Sequence, residues 1–210
     1  MSEMVSAGSN ENISFKQELI RKATHMGALV IPGGYYFLGL ERITAFLIML
    51  VVGSTMLIID ISRLRNWRFW QNFASKVFGK VIRKHEKDGD FTGATYILLT
   101  SCASIALFSK PIAIAALSFI IVGDSFAAVI GRKFGRIKIG NKSLEGSLGC
   151  FLGTVIVAFI VPGIPLSIGI LGAVVATIVE AWPMGVDDNV SVPLMSGLIM
   201  TMAMTFGLAG

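Results

Sequence analysis

The chain has 210 residues, of which 54% are hydrophobic and 15% charged, with a formal net charge of +5. It is too apolar and too sparsely charged for a soluble domain of this size, which excludes water as its main solvent. The basic residues gather at the ends of apolar runs, a topological signal that argues against nucleic acid as a partner.

The opening stretch from Met1 to Asn12 is polar and has no basic region ahead of an apolar run, so no cleavable targeting sequence is read. Residues 1–14 are expected to form a flexible cytoplasmic tail, and 15–210 one integral membrane domain. A spanning helix needs about 20 largely apolar residues. Seven segments approach that length: Ala23–Leu40, Ile43–Ile61, Gly93–Phe108, Pro111–Gly131, Ser147–Val161, Pro165–Trp182 and Val192–Leu208. The fold class expected is therefore all-α, a polytopic transmembrane helix bundle. Pro32-Gly33-Gly34 should bend the first span, and the third and fifth are short.

Lys16, Arg21 and Lys22 precede the first span, eight Lys or Arg lie between Arg63 and Lys87, and Arg132, Lys133, Arg136, Lys138 and Lys142 follow the fourth. With seven spans, only Arg42 and Lys110 fall on the other side. The positive-inside rule then puts the N-terminus in the cytoplasm and the C-terminus across the membrane. Between Arg63 and Arg83, Leu64, Trp67, Trp70, Phe73, Val77, Phe78 and Val81 recur at helical spacing with basic residues between them. This predicts an amphipathic helix on the cytoplasmic surface of the bilayer. Cys102 and Cys150 lie inside apolar runs without metal-ligand spacing and are read as packing residues.

Asp124 interrupts the fourth apolar run, where a carboxylate is costly unless paired, metal-bound or open to water. It is a candidate functional acid, the alternative being a structural ion pair. Ala127, Ala128, Gly131 and Gly135 keep one helix face small, so that a neighbouring helix or a ligand can approach. The loop from Arg132 to Gly146 then joins glycines, five cations and the start of the next helix, whose free amides favour anions. Its spacing is neither a P-loop nor a dinucleotide fingerprint. Arg21 and His25, four apart, share a helix face on which the guanidinium could grip phosphate, while His25 could equally hydrogen-bond between helices. Asp187 and Asp188, in the last connection, suit a nucleotide-bound Mg²⁺ or a local turn. Glu180 could complete that acidic rim or pair with a cation such as Lys142.

The pattern Asp124-x-x-Ala127-x-x-x-Gly131-x-x-x-Gly135-x-x-Lys138, followed by Lys142-Ser143-x-Glu145-Gly146, resembles the CTP-binding signature of the dolichol kinase, phytol kinase and CTP-dependent diacylglycerol kinase family. Arg21-Lys22-x-x-His25, Thr92-Gly93-Ala94-Thr95-Tyr96, and Glu180 with Asp187-Asp188-Asn189-Val190-x-x-Pro193 are also similar to that family. The resemblance implies that Arg21 and Lys22 contact nucleotide phosphate and that Asp124 and Gly131 are core active-site positions. Gly131, Gly135, Lys138, Lys142, Ser143, Glu145 and Gly146 would be the nucleotide-binding set.

The expected reaction is transfer of the γ-phosphate of CTP, with Mg²⁺, to a polyprenol, dolichol, phytol or diacylglycerol. Asp124 would orient or deprotonate the lipid hydroxyl, and base and metal-ligand roles both stay open for it. The nearest alternative is phosphatidate cytidylyltransferase, which has a related motif but moves CMP onto a lipid phosphate. This chain is short for that enzyme and has Asp187-Asp188-Asn189 in place of its C-terminal motifs. A small membrane transporter is the alternative of another class, without paired broken helices to support it.

Overall fold

The computed structural model describes residues 22–65, 67–68, 90–140, 142–182 and 185–207. The tail, Arg21 and most of the expected amphipathic helix lie outside the described residues. Residues 22–26 are helical and pass through a 3-10 turn, Gly27–Leu29, into α1 (Val30–Phe37). The helical path thus tightens to 3-10 geometry in the turn before Pro32. The physical reason is that proline cannot donate backward and its ring crowds the carbonyl four residues earlier. Gly39, with φ +61°, ends α1 in the left-handed conformation that suits glycine after a helix.

The remaining helices are α2 (Arg42–Leu64), α3 (Gly93–Leu107), α4 (Lys110–Phe134), α5 (Leu144–Ile160), α6 (Leu166–Ala181) and α7 (Asp188–Thr205). Three starts are capped by their own side chains. Thr92 accepts from the Thr95 amide, Ser143 from the Gly146 amide and Asp187 from the Asn189 amide. Pro111 sits in the first turn of α4, where its missing amide costs nothing. Between α4 and α5 the expected loop forms a small antiparallel ribbon, β1 (Lys138–Ile139) and β2 (Lys142–Ser143), with Lys138 opposite Ser143. Gly140, φ +58°, makes its turn.

The helical class expected from the sequence is observed. Among the described residues two helices, α2 and α4, are long and apolar enough to cross a membrane. The apolar helices α3, α5 and α6 have 15, 17 and 16 residues. At about 1.5 Å per residue these stop short of a hydrocarbon core roughly 30 Å thick, so their lengths alone do not establish seven crossings.

The centre of the bundle is α4, packed against α1, α3, α5, α6 and α7, with Ile112 through Ile121 all buried. By contrast α2 leans on α3 and turns Ile43, Leu47, Ile48 and Val51 outward. Arg63, expected on the basic face of the amphipathic helix, belongs instead to the last turn of α2 and is buried.

The two ends of the bundle differ. At one, Arg42 donates to the carbonyls of Ile105 and Ala106, and Lys110 donates to the Leu40 carbonyl at 2.9 Å while lying over the Tyr35 ring. The cations there satisfy helix-end carbonyls. The other end carries the ribbon, the start of α7 and the polar side chains described next.

Candidate active site

Asp124 sits on α4, and its Oδ2 accepts a hydrogen bond from the Lys22 ammonium, an ion pair that joins α4 to the helical segment 22–26. His25 Nε2 lies 3.6 Å from the same oxygen. A spacing of three brings Lys22 and His25 to one side of a helix, so both meet the carboxylate. Lys22 is 3% exposed, which makes the pair a structural tie as well as a concentration of charge. Arg21, expected beside them, lies outside the described residues.

A second ionic group adjoins the first. Lys142, on β2, donates to Glu180 Oε1 at 2.9 Å, to Asp188 Oδ2 at 2.9 Å and to the Glu180 carbonyl. Three acceptors exhaust the three donors of an ammonium. Burial pushes the Lys142 pKa down, but the Glu180 charge and the bonds to Glu180 and Asp188 outweigh it, and the net shift is upward. The Asp188 carboxyl also moves up, because burial outweighs the attraction of Lys142. One cation shared between two acids cannot compensate both in full. The charge of Asp124 reaches both Glu180 and Asp188, so the two ionic groups form one electrostatic neighbourhood.

The glycines of the motif lie where α4 and α5 cross. A Cβ on Gly131 would stand 3.1 Å from Ser143 Oγ and 3.3 Å from Gly146 Cα, and one on Gly146 would stand 3.1 Å from the Ala127 carbonyl oxygen. A Cβ on Gly135 would collide with the Gly131 carbonyl and with Ser143 Oγ. Of the two partners the small face could admit, a helix or a ligand, the neighbouring helix occupies it at these positions. Glu145 reaches back, both carboxylate oxygens 3.3 Å from the Ile137 amide, and Leu144 donates to the Ile137 carbonyl. Amide hydrogen bonds, its own first, hold the Glu145 carboxyl below its usual range. Lys138, on the ribbon, is exposed, as are Arg132, Lys133 and Arg136.

Of the expected metal ligands, Asp187 caps α7 through Oδ1, which accepts from the amide and the side chain of Asn189 at 2.9 and 2.8 Å. Asp188 and Glu180 both meet Lys142. Among the described residues no group of three or more His, Cys, Asp or Glu is arranged to hold a metal ion.

The sequence reading passed over Asp60. It is 1% exposed and accepts from the Thr92 amide (2.7 Å), Thr92 Oγ1 (2.9 Å), Thr95 Oγ1 (2.6 Å) and Arg63 Nε (3.1 Å). Arg63 Nη2 also donates to the Asp90 carbonyl at 2.5 Å. This network ties the end of α2 to the start of α3 and explains the polar Thr92 and Thr95 of the motif. The available signal was Asp60 itself, an acid within Ile58-Ile59-Asp60-Ile61.

No family model and no solved structure matches the chain. Among curated proteins it is similar to CTP-dependent diacylglycerol kinase 1 of Saccharomyces cerevisiae, 28% identical over 213 residues that cover 88% of this chain and 73% of the relative. The protein of the same name in Schizosaccharomyces pombe is 28% identical over 218 residues, 91% of this chain and 95% of the relative. A chloroplastic protein of Oryza sativa named "Probable phytol kinase 1" is 31% identical over 134 residues, 54% of this chain and 43% of its own length.

Proposed function

From this kinship with CTP-dependent diacylglycerol kinases and phytol kinases, we propose that the protein transfers the γ-phosphate of CTP to the hydroxyl of a membrane lipid alcohol. The observation that carries the reading is the joining of Lys22–Asp124 to Lys142–Glu180–Asp188 at one end of an apolar bundle. Phosphoryl transfer makes little covalent demand on a protein. It requires cations to hold the phosphates, a dry site and an in-line acceptor.

In this reading Lys22, oriented by Asp124, meets the phosphates together with Arg21 and with Lys138 on the exposed ribbon. Gly131, Gly135, Ser143 and Gly146 draw α4 and α5 together so that the positive end of the α5 dipole faces the nucleotide. Lys142 and Glu145 fix the ribbon.

Mg²⁺ needs only one or two carboxylates when substrate phosphates supply its other ligands. Asp188, 31% exposed at its side chain, with Asp187 next to it, fits an ion that arrives with the nucleotide. Glu180, 5% exposed, lies deeper and already meets Lys142. When bound, the ion would offset charge on the phosphates.

The bundle would lie in the membrane with seven crossings and this polar end in the cytoplasm, consistent with Arg42 and Lys110 being bound at the opposite end. The test is the fate of label. Purified protein given CTP and a panel of polyprenols, phytol and diacylglycerol should yield lipid phosphate carrying the γ-label, with release of CDP. Lipid carrying the α-label would mean CMP transfer and would overturn the kinase reading.

A further inference from the structure

Among the described residues, Tyr35 Oη, Ser104 Oγ, Ser147 Oγ and Glu180 Oε2 are buried without a hydrogen-bond partner, and the last two lie towards the ionic end of the bundle. Ser147 Oγ on α5 and Glu180 Oε2 on α6 are buried, on residues 9% and 4% exposed, and neither has a hydrogen-bond partner. Such groups are uncommon in folded proteins because the desolvation they suffer goes uncompensated.

The packing register of α5 and α6 brings the two residues to one level of the helix pair. On this antiparallel pair of helices a Cβ on Gly169 would meet Ala158 at 3.0 Å. Eight residues along both chains, Thr177 lies beside Cys150. Three residues further, Ser147 on α5 comes level with Glu180 on α6. The charge of Asp124 acts on both Cys150 and Glu180, and a Cβ on the adjacent Gly123 would stand 2.9 Å from Cys150 Sγ. The two unpartnered atoms therefore border the ionic centre.

We propose that Ser147 Oγ and Glu180 Oε2 bind the hydroxyl of the acceptor lipid alcohol. The inference rests on the kinase reading above and extends it to residues of the acceptor side. A serine hydroxyl donates, and a carboxylate oxygen only accepts. Their complement is a group that does both, which an alcohol is. A phosphate would meet the negative charge of Glu180, and an ion arriving with the nucleotide falls to Asp188, whose side chain is 31% exposed against 5% for Glu180. Leu148 and Ile178, within two residues of the pair, are exposed, so apolar surface for a lipid chain begins beside the polar pair.

The experiment uses full-length protein in detergent, wild type and Ser147→Ala, with an alcohol that the wild type phosphorylates. Because Ser147 Oγ has no partner to lose, the variant without ligand should melt at or above the wild-type temperature. Its KM for the alcohol should rise about tenfold, the loss expected for one hydrogen bond to substrate, with KM for CTP within about twofold. The upward melting shift that the alcohol gives the wild type should shrink in the variant, and the phosphorylated lipid should give no shift that depends on Ser147.

An unchanged alcohol KM and melting shift in Ser147→Ala would overturn the proposal and leave the hydroxyl to a buried water or to packing. A rise in KM for CTP alone would overturn it as well. The reading on which it rests fails separately: if the wild type moves no γ-phosphate to any alcohol, the kinase reading falls. The melting shift then decides whether an alcohol binds at Ser147, and its absence in the wild type would overturn the inference too. Glu180→Gln, which keeps the shape but weakens the tie to Lys142, should repeat the rise in alcohol KM.

Discussion

Asp124 and Lys22 are separated by 102 positions in the chain and joined in space. Removing one partner of a buried pair leaves the other charge uncompensated, so Asp124→Asn should cost roughly 1–3 kcal/mol of stability, given partial exposure of the acid. Lys22→Met on the Asn background should recover most of that, since no charge is then stranded. Turnover should stay low in both proteins if the pair also serves phosphoryl transfer. Melting temperature and single-turnover transfer, measured on the same preparations, check this, and a double variant that regains turnover would make the pair purely structural.

Lys142 gives a pH signature. Its folded pKa lies above the ordinary 10.5, so its contribution to stability is full below that value and is lost as pH rises through the folded one. Alkaline melting curves should carry a component above pH 10.5 that Lys142→Met lacks. Asp188 has the same sense in the acid range: its folded pKa lies above the ordinary 3.8, so stability rises as pH falls through the folded value. Asp124 was legible in the sequence because a charge in an apolar run is conspicuous. Its partner was not, because ion pairing across helices depends on packing that no local pattern encodes, and Asp60 escaped for standing near the end of its run.

The crossing of α4 and α5 depends on what is missing from their surfaces. Gly146→Ala would set a methyl group 3.1 Å from the Ala127 carbonyl and 3.3 Å from Gly131 Cα, backbone atoms that cannot step aside. The cost should be about 1–3 kcal/mol as the helices separate. Gly34→Ala, inside α1 with nothing within 4 Å of its Cβ, should instead be neutral or stabilising by up to about 1 kcal/mol, the propensity difference between the two residues. Chemical-denaturant midpoints of the two variants provide the comparison. Helix limits were readable within a few residues because apolar runs stop at Thr92, Ser143, Asp187 and Gly39, each of which caps or breaks a helix. The ribbon was not, since two-residue strands lack enough length for alternation, and its register comes from Glu145 and Leu144 gripping Ile137.

At the scale of the molecule, the polar neighbourhood and the pair Arg42 and Lys110 occupy opposite ends of the bundle. Epitope tags at the N-terminus and at Gly140 should therefore be reached from the cytoplasmic face and one after Gly210 from the other, in protease-protection assays on sealed vesicles. A C-terminal tag on the cytoplasmic face would remove one crossing from the count.

The Asp60 cluster, described above as a tie between α2 and α3, also has a consequence for variation. Arg63, bound to Asp60, holds the Asp90 carbonyl, and Asp60 holds Thr92, so the end of α2 and the residues that lead into α3 are fastened to one another at one point. The entropy of a loop closed in this way grows only as the logarithm of its length. A change in the number of residues that connect Arg65 to Asp90 should therefore alter the melting temperature little, because the two helix ends stay fastened to one another whatever the length of chain between them.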